Sequence, residues 1–206
     1  MITWEGDWRE DERAIAQAAI AAASLRLAEI SGLAPDEAFH CVFGDIILDA
    51  YPLVAGEYYG YVSKLEPRRV QLEIGHVTQT LVLHELGHVL ILTDPNDENI
   101  ADILSRTVIK TAAGRPVTGA GRGKYARHMG YKATKYTGYN SIEYPAHEHP
   151  VSFKDKYSNT PTEDICDMWM GCLTGNIADN DAGRALDKFV TDYMVRRLMP
   201  CRKVEP

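Results

Sequence analysis

Cysteine is scarce: Cys41, Cys166, Cys172 and Cys201 are the only four in 206 residues. That is too few for a small fold stapled by disulfides, and Cys166 and Cys172, six apart in one predicted helix, do not face each other for a bridge. Buried free thiols in a reducing compartment are the expected state. Long apolar runs are also missing, since no uninterrupted stretch approaches the ~18 residues of a membrane span. Met1 to Glu12 is acidic and has no apolar core, so no cleaved signal is visible. A cytoplasmic location without membrane partners is expected, with export by another route left open. Acidic residues are absent from Lys110 to Gly138, where seven of the 22 Lys and Arg gather. The remainder carries fifteen positive against 29 negative side chains, so a net charge of −7 hides one basic segment in an acidic chain.

What is present fits one ordinary globular unit. With 45% hydrophobic and 25% charged residues over 206, the chain can bury one sizeable core. A single domain over 1–206 is expected, interrupted by a basic, Gly- and Tyr-rich insertion at about 111–144 that is long for an internal connection. Trp8 to Ile30 predicts a helix whose apolar stripe is Ile15, Ala18, Ala19, Ala22, Leu25, Leu27 and Ile30, stopped by Ser31-Gly32. Strand character follows at 39–43, 58–62 and 69–74, the last two joined as a hairpin. A second helix runs from about His76 to Leu92, and a third from about Glu98 to Lys110. A fourth starts at Thr160-Pro161-Thr162 and ends near Leu173, and a final amphipathic helix spans Asn180 to Met199.

The helix at 76–92 carries the chemistry. Within it stands His84-Glu85-Leu86-Gly87-His88. Residues four apart share a helix face, so His84 and His88 can offer two imidazoles to one ion with Glu85 beside them. Neutral imidazole binds Zn²⁺ at roughly 2.0–2.1 Å, and a catalytic site leaves its fourth position to water. A neighbouring carboxylate then takes the proton of that water. Leu81, Leu83, Val89, Leu90 and Leu92 make the helix apolar on most sides, where two His and a Glu are costly without a partner. Gly87 in a helix interior costs about 0.5–1 kcal/mol relative to Ala unless something packs close to the backbone there.

Four candidates compete to be the third ligand. Glu163 is preferred: in Thr162-Glu163-Asp164-Ile165-Cys166-Asp167 it stands four residues before a second carboxylate. Asp94 lies six residues after His88, a spacing similar to that of the third ligand in metzincins, but the glycine that this resemblance implies three residues after the second His is Ile91 here, a β-branched residue poorly suited to a left-handed turn. Glu98 and Asp102 form a second pair with the same spacing. His147 and His149 flank Glu148 in a polar loop. Tyr157, six residues before Glu163, is a candidate donor to an oxyanion.

Order and motif together resemble the zincin metallopeptidases, and the later Glu-x-x-x-Asp resembles the gluzincins, the thermolysin and anthrax lethal factor class. The resemblance covers about residues 70–92 and 157–173. It implies an α+β fold, with an N-terminal helix and small mixed sheet packed on the metal helix and a mainly helical C-terminal part. It further implies one Zn²⁺ on His84, His88 and Glu163, Glu85 as general base, Asp167 orienting His84, and Tyr157 assisting. The implied activity is that of an endopeptidase rather than an exopeptidase, holding a peptide or protein substrate on an edge strand that is either 58–62 or one of its neighbours. A different reading takes Arg115, Arg122, Lys124, Arg127, Lys132 and Lys135, interleaved with Tyr125, Tyr131 and Tyr136, as a nucleic-acid contact on a non-proteolytic scaffold.

Overall fold

The computed structural model describes residues 1–52, 59–94, 166, 169–173 and 181–201. In chain order these form β1 (Ile2–Gly6), α1 (Glu10–Ser31), α2 (Pro35–Phe43), β2 (Ile46–Tyr51), β3 (Gly60–Val62), β4 (Arg69–Glu73) and α3 (Gln79–Leu92). Helical residues at 166 and 169–173 follow, then α4 (Asp181–Leu198) and a short 3-10 turn (Met199–Cys201). The class is α+β.

Helix α1 starts on three acidic residues, Glu10, Asp11 and Glu12, which suit the positive end of a helix dipole. It stops at Gly32, whose φ of 75° is the left-handed conformation that glycine adopts without strain. Its buried face is Glu12, Ala16, Ala19, Ile20, Ala23, Leu27 and Ser31. The predicted stripe is therefore rotated: Ala19 and Leu27 point inward, whereas Ile15 and Leu25 are exposed. Small alanines let α1 pack against α2 and α3, so the larger aliphatic residues misjudge the face. Among the described residues α1 alone is long and apolar enough, by length and composition, to cross a membrane. A core helix passes that test equally, and Ala16, Ala19, Ala23 and Leu27 are fully buried.

The strand predicted at 39–43 is instead the second half of α2. Pro35 opens that helix with Asp36 and Glu37 in the first turn. Phe39, Val42 and Phe43 then recur at helical spacing and are buried together. Aromatic and β-branched content suggested a strand, but the start signal and periodicity decide for helix.

The four strands are ordered β1-β2-β4-β3. β1, β2 and β4 run parallel, and β3 pairs antiparallel with β4 as the hairpin expected for this segment, with Gly60 opposite Leu72 and Val62 opposite Val70. Among the described residues β1 and β3 are the edges. One face, with Ile46, Leu48, Ala50, Gly60, Val62, Val70 and Leu72, is buried in the common core. β2 escapes sequence reading because Ile46-Ile47-Leu48 shows no alternation, and β1 because Ile2-Thr3-Trp4-Glu5 is a short, half-exposed edge.

Two devices fix α3. At its start, the Thr78 hydroxyl accepts from the Leu81 N–H at 3.2 Å, and the Glu12 carboxylate of α1 accepts from the Gly75 N–H at 2.6 Å. At its end, Arg197 of α4 donates to the carbonyls of Thr93 (3.1 Å) and Val42 (2.9 Å), binding the C-terminal ends of α3 and α2 at once. α4 itself follows the predicted pattern, with Val190, Tyr193, Met194 and Leu198 buried.

Cys41 and Cys201 are joined in a disulfide across 160 residues, which corrects the expectation of free thiols for this pair. Nothing in the local sequence marks them as partners. They meet because α4 returns along α2, leaving their Cα atoms 6.1 Å apart. Disulfides persist in oxidising compartments and are rare in the cytosol, so the cysteines no longer support a cytoplasmic location. Cys166 and Cys172 are not joined in a disulfide, as expected.

Candidate metal centre

His84 and His88 lie one turn apart on α3, with ring centroids 5.0 Å apart and planes at 74°. His84 and Glu85 are 6% and 1% exposed, and His88 is half-buried. Glu85 points to the edge of the sheet, where an added Cβ on Gly60 of β3 would lie 2.6 Å from its Oε1. The negative charge of Glu85 is also felt at Tyr51, the last residue of β2. There burial first, then Asp49, Glu73 and Glu85, hold the hydroxyl above its ordinary range.

The third side chain in the described centre is Cys166. Ligand atoms of His84, His88 and Cys166 all lie within 4.8 Å of one another, a group that could hold a metal ion. A tetrahedral ion with bonds of roughly 2.0–2.3 Å spaces its donors roughly 3.3–3.8 Å apart, so small rotamer changes close this set around one ion. Two imidazoles and a thiolate suit zinc and other first-row ions better than magnesium or calcium.

Gly87 explains how Cys166 comes so near. A Cβ on Gly87 would stand 2.8 Å from the Cys166 Cα and 3.1 Å from its Sγ. The missing side chain thus admits the backbone of the second helical segment onto α3, between the two histidines in height. This is the close approach anticipated for a glycine inside the motif. Trp169 and Met170 bury the same segment, with the Trp169 ring 6.1 Å from that of Phe43 on α2. Further along, burial and the neighbouring Asp187 push the Cys172 thiol well up, so it stays protonated and inert.

Asp94 is not brought to the histidines. Its carboxylate accepts from the Tyr193 hydroxyl and pairs with Arg197 at 3.3 Å, with both side chains of the ion pair buried. It therefore serves the junction of α3 with α4, and among the described residues the group that could hold an ion does not include it. Glu163, Asp167, Tyr157, Glu98, Asp102, His147, His149, the basic segment 110–138 and the insertion at 111–144 lie outside the described residues.

Cys166 is the residue that sequence reasoning passes over. Its signal is its place three residues after Glu163 and one before Asp167, a spacing that shares a helix face with Glu163. No protein-family model, no curated protein and no solved structure matches the chain.

Proposed function

We propose that the protein is a zinc-dependent metallopeptidase of zincin type, with His84, His88 and Glu163 holding one ion and Glu85 acting as general base. The observation that carries this reading is a buried Glu85 next to His84 on the helix that pairs His84 with His88, set against Gly60 of β3. His84 and Glu85 are buried on an otherwise apolar helix with His88 half-buried beside them, an arrangement that suits a shared task.

Zinc bound there supplies Lewis acidity to a water molecule and to the substrate carbonyl. The chain's own residues do the rest. Glu85 accepts the proton of the attacking water and delivers it to the departing amine. The outer edge of β3 offers main-chain donors and acceptors to an extended peptide, which fixes the scissile bond next to α3. Asp167 orients the His84 ring through its second nitrogen, and Tyr157 donates to the developing oxyanion. Support for Glu163 comes from Cys166: the segment packed on Gly87 is the one whose sequence carries the Glu163 and Asp167 pair.

Cys166 itself favours a second reading, a closed site of His84, His88 and Cys166 in which the ion is structural. Hydrolysis of a broad peptide library by zinc-loaded wild type and Glu85→Gln separates the two. The peptidase reading expects cleavage that falls about 10²–10⁴-fold in the variant while zinc is retained. No cleavage, with zinc lost in Cys166→Ser but kept in Glu163→Ala, supports the structural site.

A further inference from the structure

We infer that Gly60 of the edge strand is a positioning residue for Glu85, an inference that rests on the hydrolase reading of that carboxylate. Three atoms in a row carry it. A Cβ at position 60 would meet Glu85 Oε1 at 2.6 Å and both Cδ and Cγ at 2.8 Å. Turning the end of the Glu85 side chain relieves the first contact but not the other two, and at 1% exposure the residue has no outlet to solvent.

The backbone does not ask for glycine here. Gly6, Gly32, Gly44 and Gly75 are the positive-φ glycines among the described residues, and Gly60 is not one of them. Glycine in a strand interior gives up packing and marks a bulge, a bend or the close approach of another group. At Gly60 the approaching group is the base. Its height along the sheet is pinned, since Gly60 lies opposite Leu72 and the Glu73 N–H donates to the Tyr59 carbonyl at 2.9 Å. Its side of the sheet is pinned as well: Gly60 and Val62 are buried whereas Tyr61, between them, is 45% exposed.

The consequence concerns substrate and base together. A polypeptide that pairs along the outer side of β3 would place its backbone beside the residue against which Glu85 lies, so that binding and proton transfer are aligned through one bare position. A methyl group there meets the Glu85 side chain first and displaces its carboxylate. A misplacement of about 1 Å is enough to cost on the order of 100-fold in rate.

The test pairs kinetics with a stability cycle on the full-length, zinc-loaded protein. Gly60→Ala is expected to lower kcat by about 10–100-fold with KM changed far less and zinc content unchanged. In urea denaturation, Gly60→Ala is expected to lower the midpoint in the wild-type background but not in a Glu85→Ala background, where the colliding atoms are gone. An equal shift in both backgrounds overturns the contact. Coupled midpoints with unchanged kcat overturn the positioning role. A wild type that cleaves no peptide while the midpoints remain coupled refutes the hydrolase reading, and the catalytic part of this inference with it. Should Gly60→Ala fail to fold alone, folding restored by Glu85→Ala supports the contact, and failure in both backgrounds overturns it.

Discussion

Replacing Gly87 by alanine sets two effects of known sign against each other. Alanine is the better helix former, and in an open helix the change gains about 0.5–1 kcal/mol. Here the new methyl carbon would sit 2.8 Å from the Cys166 Cα and 3.0 Å from its Cβ. Ordinary carbon–carbon contact is roughly 3.5–4.0 Å, so the two segments must part by about 0.7 Å or more. The obstacle is backbone, which no rotamer change removes. Overpacking of this kind costs typically 1–3 kcal/mol, which offsets the propensity gain and leaves a net loss of up to about 2.5 kcal/mol. The same displacement withdraws the Cys166 segment from His84 and His88. Metal affinity is therefore expected to fall by about 10–100-fold, the range seen when groups that orient ligands are removed. Urea denaturation followed through the buried Trp169, together with competitive zinc titration, measures both quantities. A Gly87→Ala variant that gains stability and binds zinc as tightly as wild type would refute the account of how the centre is assembled.

Two further outcomes concern the frame around the centre. Cys41→Ser opens a loop of 160 residues, and loss of such a cross-link typically costs about 2–5 kcal/mol. The urea midpoint should fall accordingly, and dithiothreitol should reproduce the fall in wild type but not in the variant. Tyr193 is held above its ordinary value of 10.0 by burial first and by its hydrogen bond to Asp94 second. A raised folded-state value means that the native state keeps the phenol proton. This contribution is full below about pH 10 and is lost as pH rises beyond it. Tyr193→Phe should cost about 1–3 kcal/mol at neutral pH by taking a partner from buried Asp94, and should flatten the alkaline loss of stability. An unchanged alkaline limb would show that Tyr193 is not its source.

Particular residues show what was legible in the sequence. The placement of His84, Glu85 and His88 together on α3 was, because it is set by local spacing within a helix. The β3–β4 hairpin and the Gly32 stop were legible for the same reason, since turn chemistry and periodicity act over a few residues. Helix α2 was not, because Phe39 to Phe43 reads equally well as strand until Pro35 is weighed as a helix start. The Cys41–Cys201 bridge and the capture of Asp94 by Tyr193 and Arg197 were beyond reach, because each joins residues about a hundred or more positions apart. Cys166 stands between these cases: its helix was predicted, but its place against Gly87 depends on how two segments dock. Gly60 was visible only as a glycine in a strand, and its meaning appears once Glu85 is seen beside it.

The central claim is that His84 and His88 grip one ion. Elemental analysis of purified wild type, His84→Ala and His88→Ala after equilibration with zinc and removal of excess tests it most directly. One zinc per chain is predicted for wild type and markedly less for either variant. A wild type that takes up no zinc, or variants that hold as much as wild type, would contradict it.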